Sequence, residues 1–280
     1  MTEGGERIAK VIARAGLCSR REAERLIAEG RVTLDGRVLD SPAVTVAPGA
    51  KIAVDGVALP AAPPTRLWRY HKPAGVLTAA RDPRGRPTLY DRLPEGLPRV
   101  MPVGRLDLTS EGLLLLTNDG ALKRRLELPA TGWARRYRVR VYGRVEEKAL
   151  AALAHGVPVE GLDYGPIAAR LDSQSGANAW LTMSLAEGKN REVRRVCEHL
   201  GLKVSRLIRL AYGPFQLGRL PPGGLEEVPA RVLAEQLGQG AAGAAEREAR
   251  GRKTGRGWAK AKPRKQSPGK ARRAHRRRTA

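Results

Sequence analysis

Four consecutive leucines, Leu113 to Leu116, run directly into Thr117-Asn118-Asp119-Gly120. A short apolar run closed by an Asn-Asp-Gly turn signal reads as a buried strand in the core of a sheet. The residues before it, Val103 to Gly112, read as a loop in which Gly104 and Gly112 free the backbone at the two ends and Asp107 stands close to Arg105. Functional side chains gather on loops held by a rigid scaffold. Spacing alone leaves two readings of this loop open: a functional site, or a surface turn with a solvated arginine and aspartate.

Charge narrows the partners. The 280 residues carry a formal net charge of +24, which points to a polyanion, nucleic acid first and an acidic membrane surface second. No stretch approaches eighteen apolar residues, and the N-terminus lacks the apolar core of a signal peptide, so a soluble, cytoplasmic protein is expected. Cys18 and Cys197 stand far apart with no partner spacing; neither a disulfide framework nor a metal site is suggested, and both thiols are expected to be reduced and structural. Residues 238–280 hold fifteen Lys and Arg against Glu246 and Glu248 and, apart from Trp258, no large apolar side chain. Such a segment cannot offset its ordering entropy by burial and is expected to be a disordered basic tail.

From Glu6, Ile8, Val11, Ile12 and Ala15 recur at helical spacing until Gly16, and Ser19-Arg20-Arg21-Glu22 has the capping-box pattern of a second helix ending at Gly30. Arg20 and Arg21 oppose the macrodipole of that helix. Either a polyanion faces them, or Glu22 and Glu24 neutralise them locally. Asp35-Gly36 and Asp55-Gly56 then mark short hairpins. Two small helices, short strands and basic residues at the helix junction resemble the S4-like RNA-binding module, so that residues 1–59 are expected to form a small domain that docks on structured RNA. Residues 60–65 have the composition of a stiff linker.

Residues 66–237 form the second expected domain. Trp68 to His71 reads as a strand ended by Lys72-Pro73-Ala74-Gly75, and residues 81–87 as a polar loop whose arginines, Arg84 and Arg86 among them, either follow a phosphate backbone or are solvated. Arg136 to Val141 alternates strictly, with Tyr137, Val139 and Val141 on the inner face. Helices are expected over residues 146–154, 190–200 and 229–237, and further strands over 167–171, 180–185 and 204–210. Arg194 then lies near a helix start, and Arg191 and Arg195 face phosphate or solvent. The elements alternate irregularly and no phosphate-binding glycine fingerprint is present, which favours an α+β fold with a mixed, largely antiparallel sheet.

Gly104-Arg105-Leu106-Asp107 with Thr109-Ser110-Glu111-Gly112 and Thr117-Asn118-Asp119-Gly120, preceded by Lys72-Pro73-Ala74-Gly75 and followed by Arg136-Tyr137-Arg138-Val139 and by Glu187-Gly188-Lys189-Asn190-Arg191-Glu192-Val193-Arg194-Arg195, closely resembles the signature of the bacterial ribosomal RNA pseudouridine synthases of the RsuA/RluB type. The resemblance implies a bilobed catalytic domain with a basic cleft, and isomerisation of a uridine in ribosomal RNA without cofactor or metal. It implies Asp107 as the essential carboxylate, attacking the sugar or assisting proton abstraction. It further implies Tyr137 as the ring stacked on the uracil, Arg194 as the cation paired with the aspartate, and Arg105 as the side chain that fills the place of the flipped base. Lys72, Arg20, Arg21, Arg84, Arg86, Lys189 and Arg191 are the expected substrate contacts. The partner is ribosomal RNA or a ribosome assembly intermediate, with no membrane and no obligate protein partner, the protein acting as a monomer. Within the family the basic tail and the Gly-Lys-Asn-Arg-Glu-Val-Arg-Arg segment look most like the member that modifies large-subunit RNA, with the small-subunit enzyme second. Two rivals remain. A ribosome assembly factor would share the charge but would not need Asp107, Tyr137 and Arg194 together. A glycosidase needs a second carboxylate, for which Glu111 is the near candidate.

Overall fold

The structure is a computed structural model that describes residues 5–128 and 131–238. The expected disordered tail lies outside the described residues. At the N-terminus, β1 (Glu6–Arg7), α1 (Ile8–Arg14), α2 (Arg20–Ala28), β2 (Val32–Leu34), β3 (Arg37–Val38), β4 (Thr45–Val46), β5 (Ile52–Val54) and β6 (Val57–Ala58) enclose a small core of Ile8, Ile12, Ala23, Leu26, Ile27, Val32 and Val54. Ser19 caps α2 by accepting the Glu22 N–H at 3.1 Å, as the capping pattern requires. The first helix starts two residues later than the spacing suggested, because Glu6 and Arg7 pair with Val46 and Thr45 as a strand. Residues 60–65 are exposed and carry no regular secondary structure.

The remaining elements are β7 (Leu67–Lys72), β8 (Met101–Val103), β9 (Ser110–Thr117), α3 (Gly120–Glu127), β10 (Arg135–Tyr142), α4 (Glu147–Ala152), β11 (Val157–Val159), β12 (Leu162–Tyr164), β13 (Ile167–Ser175), β14 (Asn178–Leu185), α5 (Glu192–His199), β15 (Lys203–Tyr212), β16 (Phe215–Gln216), β17 (Leu225–Glu227) and α6 (Ala230–Gly238). Among the described residues they build a nine-stranded sheet in the order β13-β14-β10-β15-β9-β7-β17, with β16 on β15 and β8 on β9. Every pairing in it is antiparallel except β15 with β9. This is the mixed, largely antiparallel sheet of an α+β fold. The parallel pairing spans only Leu207↔Ser110 to Arg209↔Gly112, so two antiparallel halves meet along a short seam, and a cleft opens beside it.

The four leucines follow this seam along β9, paired with β7 and buried on both faces: Leu114 and Leu116 belong to one core cluster, Leu113 and Leu115 to another. A continuous apolar run rather than an alternating one is the consequence of burial on both sides. β9 begins at Ser110, three residues before the leucines, so Ser110 to Gly112 are strand and not loop. Gly112 has φ +102°, and a Cβ there would overlap the backbone carbonyl of Arg209; the close approach of β9 to β15 therefore needs glycine. Thr117-Asn118-Asp119-Gly120 ends the strand as expected but also starts α3, a helix the sequence reading did not see. Asp119 is its N-cap, its Oδ1 accepting the N–H groups of Ala121 and Leu122 at 2.7 and 3.2 Å. Among the described residues no helix is long and apolar enough to cross a membrane.

Candidate active site

The loop ahead of β9 is fixed through its backbone. The Gly104 N–H donates to Glu127 of α3 at 2.6 Å. Leu106 is held at both backbone groups by the Thr78 hydroxyl, which donates to its carbonyl at 2.9 Å and accepts its N–H at 3.3 Å. The Leu108 carbonyl accepts from Gly75 at 2.8 Å, and the Leu106 side chain is buried in the core. Beneath the loop the Lys72 ammonium donates to the carbonyls of Pro73, Asp107 and Ser110 at 3.0, 3.1 and 2.8 Å. Three acceptors match the three donors of an ammonium. Lys72 is fully buried, and desolvation pushes its pKa down to about 8, against the pull of the Asp107 and Glu111 carboxylates.

With its backbone so anchored, Asp107 presents a carboxylate that accepts no hydrogen bond among the described residues. Its neighbours are cations at ion-pair range only, Arg191 Nη1 at 3.7 Å and Arg194 Nε at 3.9 Å. Both distances are too long for hydrogen bonds. These cations put positive charge beside the carboxylate without occupying its lone pairs. Arg194 is buried and its Nη2 donates to the Thr109 hydroxyl at 3.0 Å. Burial and then Arg191 push its pKa down, Asp107 works upward, and a guanidinium stays protonated throughout. Arg191 takes a left-handed backbone, φ +52°, at the start of α5.

Asp107 opens into a cavity of about 930 Å³ lined also by Arg105, Tyr137, Lys189, Arg191 and Leu207. Its inner wall holds two further arginines that the sequence reading missed. Arg135 donates to the Trp133 carbonyl and to the Tyr212 hydroxyl, at 3.1 and 3.0 Å, and Arg209 donates to the Leu113 carbonyl at 2.7 Å. Both guanidinium groups lie against the Tyr212 ring, 4.8 and 5.3 Å from its centre. Extending the strand alternation one residue upstream places Arg135 on the Tyr137 face, a signal available in the sequence; nothing local marked Arg209. Glu192 also lines the cavity, its Oε2 accepting the Lys189 N–H at 2.8 Å while burial pushes its pKa up.

A family model described as RNA pseudouridylate synthase matches residues 66–199, a span that contains Asp107, Tyr137 and Arg194, and one for the S4 domain matches residues 6–52. A Rickettsia felis protein described as an uncharacterised RNA pseudouridine synthase is 45% identical over 228 residues, 81% of this chain and 99% of that protein. The chain belongs to the RNA pseudouridine synthase family. A Salmonella typhi relative, ribosomal large subunit pseudouridine synthase B, is 45% identical over 234 residues, covering 80% of this chain and 79% of the relative. A crystal structure of a pseudouridylate synthase aligns with TM-score 0.58 at 27% identity, covering 83% of this chain and 99% of that one.

Against that synthase fold, the residues singled out from sequence separate into groups. Asp107, Tyr137, Arg105, Lys189 and Arg191 share the cavity, and Arg194 stands behind the carboxylate. Lys72 was expected to contact substrate. That expectation is corrected: the ammonium is sealed under the loop and braces it from inside. Lys189 reaches the cavity rim but is engaged by Glu187 at 2.8 Å. Arg84 and Arg86 are exposed and do not line the cavity, and Arg86 is held by both oxygens of Asp82 at 2.8 and 3.0 Å. Arg20 and Arg21 are exposed at the start of α2, and Glu22 pairs with Arg25 instead of with them. Glu111, the rival second carboxylate, is held by Arg206 at 2.7 and 3.0 Å, which lowers its pKa, and it does not line the cavity.

Proposed function

We propose that this synthase isomerises a specific uridine of large-subunit ribosomal RNA, with Asp107 as the essential carboxylate, Tyr137 and Arg194 beside it, and no cofactor. The observation that carries the reading is the Asp107 carboxylate itself, rigid at the backbone, unencumbered at its oxygens and flanked by two cations in a cavity large enough for an extruded nucleoside. The reaction breaks the bond from ribose to the ring nitrogen, turns the uracil and rejoins it through a ring carbon. The proton displaced from that carbon leaves and the nitrogen gains one, so the net change is zero. Extruding the base costs a few kcal/mol. Stacking on the Tyr137 ring returns about 1–3 kcal/mol, and Arg105, exposed on the loop, is placed to fill the gap. Residues 1–59 dock the RNA through Arg20 and Arg21, residues 66–237 carry the chemistry, and the monomer acts in the cytoplasm on ribosomal RNA or an assembly intermediate. The large-subunit target is supported by the Salmonella relative.

Mapping of pseudouridines in ribosomal RNA from cells with and without this protein tests the proposal. One large-subunit position should lose its modification and regain it with the wild-type gene but not with Asp107→Asn. Loss from the small-subunit RNA instead would overturn the target, and release of free uracil in vitro would overturn isomerisation.

A further inference from the structure

β10 has a second face. Tyr137, Val139 and Val141 turn toward the cleft and core, and Arg136, Arg138 and Arg140 stand exposed on the opposite side. Alternate residues of a strand are about 6–7 Å apart, so the Cα atoms of these arginines follow one another at that spacing along one face. The register sets its flanks: Arg138 lies opposite Thr182, and Arg140 lies between Trp180 on β14 and Arg206 on β15. Arg170 of β13 pairs with Thr182 one strand further out. None of these side chains lines the cavity around Asp107.

The row is uncompensated. Arg206 is neutralised by Glu111, and Arg170 has Asp172 at 3.2 Å, but among the described residues no carboxylate lies at ion-pair distance from Arg136, Arg138 or Arg140. Their partners are neutral. Arg136 donates to the side-chain oxygen of Gln216 at 2.6 Å, and Arg138 lies over the half-buried Trp180 ring at 4.5 Å. These contacts orient the guanidiniums without discharging them.

We infer that the outer face of β14, β10 and β15 is a second RNA surface, which grips the phosphate backbone of a segment of the substrate RNA outside the catalytic cleft. The inference rests on the reading that the substrate is a long ribosomal RNA. Three arginines on one strand face, with no carboxylate at ion-pair distance among the described residues, suit the phosphates of an RNA backbone, with bidentate guanidinium contacts that fix position and do not read sequence.

The test uses the full chain with Arg136, Arg138 and Arg140 all changed to Gln, and separately all changed to Lys. Two RNAs are compared, a minimal hairpin holding the target uridine and the full-length large-subunit RNA. On the long RNA the Gln variant should bind about tenfold more weakly, with the slope of log affinity against log salt flattened by about 2 to 3, one increment per lost phosphate contact. On the hairpin its rate of pseudouridine formation should match the wild type, and the Lys variant should keep the wild-type slope. An unchanged slope on the long RNA, an equal loss on the hairpin, or a Lys variant as weak as the Gln variant overturns the inference. So does a loss seen only on ribosomal particles, which would identify a protein partner. If the triple Gln variant does not fold, Arg140→Gln alone decides, by whether the slope changes by roughly one contact. Failure of the wild type to form pseudouridine in either RNA would count against the proposed function instead, and is read independently of the slope.

Discussion

Asp107 differs from the other carboxylates around the cleft in what its oxygens touch. Glu127 is occupied by the Gly104 N–H, Glu192 by the Lys189 N–H and Glu111 by Arg206, whereas Asp107 meets only two cations at ion-pair range. Asp107→Asn should therefore cut single-turnover pseudouridine formation by about a thousandfold or more, the scale of loss when a reacting group is removed, and leave RNA affinity nearly unchanged. Retention of a few per cent of the rate would refute the assignment. Lys72 acts one layer down. Replacing it by Met strips three loop carbonyls of their donor, and turnover should fall on the order of a hundredfold, as for an ångström's misplacement of a reacting group. Lys72 also leaves a mark on stability. Burial pushes its pKa down to about 8 from an ordinary value of 10.5, so between those values the unfolded chain holds a proton that the native one has released, and stability rises with pH. Urea unfolding across that window should show the wild type gaining on Lys72→Met; parallel curves would mean that the amine titrates at its ordinary value.

At the scale of elements, α3 and α5 approach the Asp107 loop from two sides. α3 delivers Glu127 to Gly104, and its start is fixed by Asp119, which also accepts from the Thr65 hydroxyl at 2.6 Å. Asp119→Ala should cost about 1–2 kcal/mol of stability, as for other lost caps. Desolvation works upward on this carboxyl, but its hydrogen bonds from Thr65, Ala121 and Leu122 prevail and hold its pKa low. Its contribution is thus present at neutral pH and lost as pH falls through the lowered value. Thermal melts at neutral and strongly acidic pH check both statements, since the two proteins should converge in acid. α5 delivers Arg194, tied to Thr109 and facing Asp107. Arg194→Ala should lower turnover at least about a hundredfold, the order of one lost electrostatic partner, while Kd for RNA, measured by filter binding, moves little because the side chain is buried. A loss confined to Kd would make Arg194 an RNA contact and not a partner of the carboxylate.

At the scale of the whole molecule, more than half of the net charge of +24 lies in residues 238–280, C-terminal to the residues that line the cavity. Residues 238–280 supply fifteen cations against two acids. If about five neutralise phosphates at once, a chain ending at Gly238 should show a salt dependence of log affinity flatter by about 3 to 5, with slower association at low salt where electrostatic steering is strongest. The modified uridine should not change if, as proposed, the cleft and the N-terminal module select it. A truncated protein with the wild-type slope, or one that modifies a different uridine, would contradict this division.

The sequence by itself determined the long strands of the sheet, the turn chemistry and most of the loop that bears Asp107, because alternation, capping and glycine requirements are local and survive in a one-dimensional pattern; the short strands β1, β4, β8, β11, β12, β16 and β17 carry too few residues to show a period. It also placed Tyr137 on the inner face, since the strand period fixes that whatever the partner strand is. It misassigned Lys72 and passed over Arg135, Arg209 and α3. A lysine before a turn reads as a surface cation until carbonyls 35 and 38 residues away close over it, and Asn-Asp-Gly serves a turn and a helix cap equally well. That Arg191 joins Arg194 beside the carboxylate, which arginines brace the wall from within and which face solvent was decided only by tertiary structure, because a charged side chain is buried or exposed according to acceptors supplied by distant segments, and those have no signature at the residue itself.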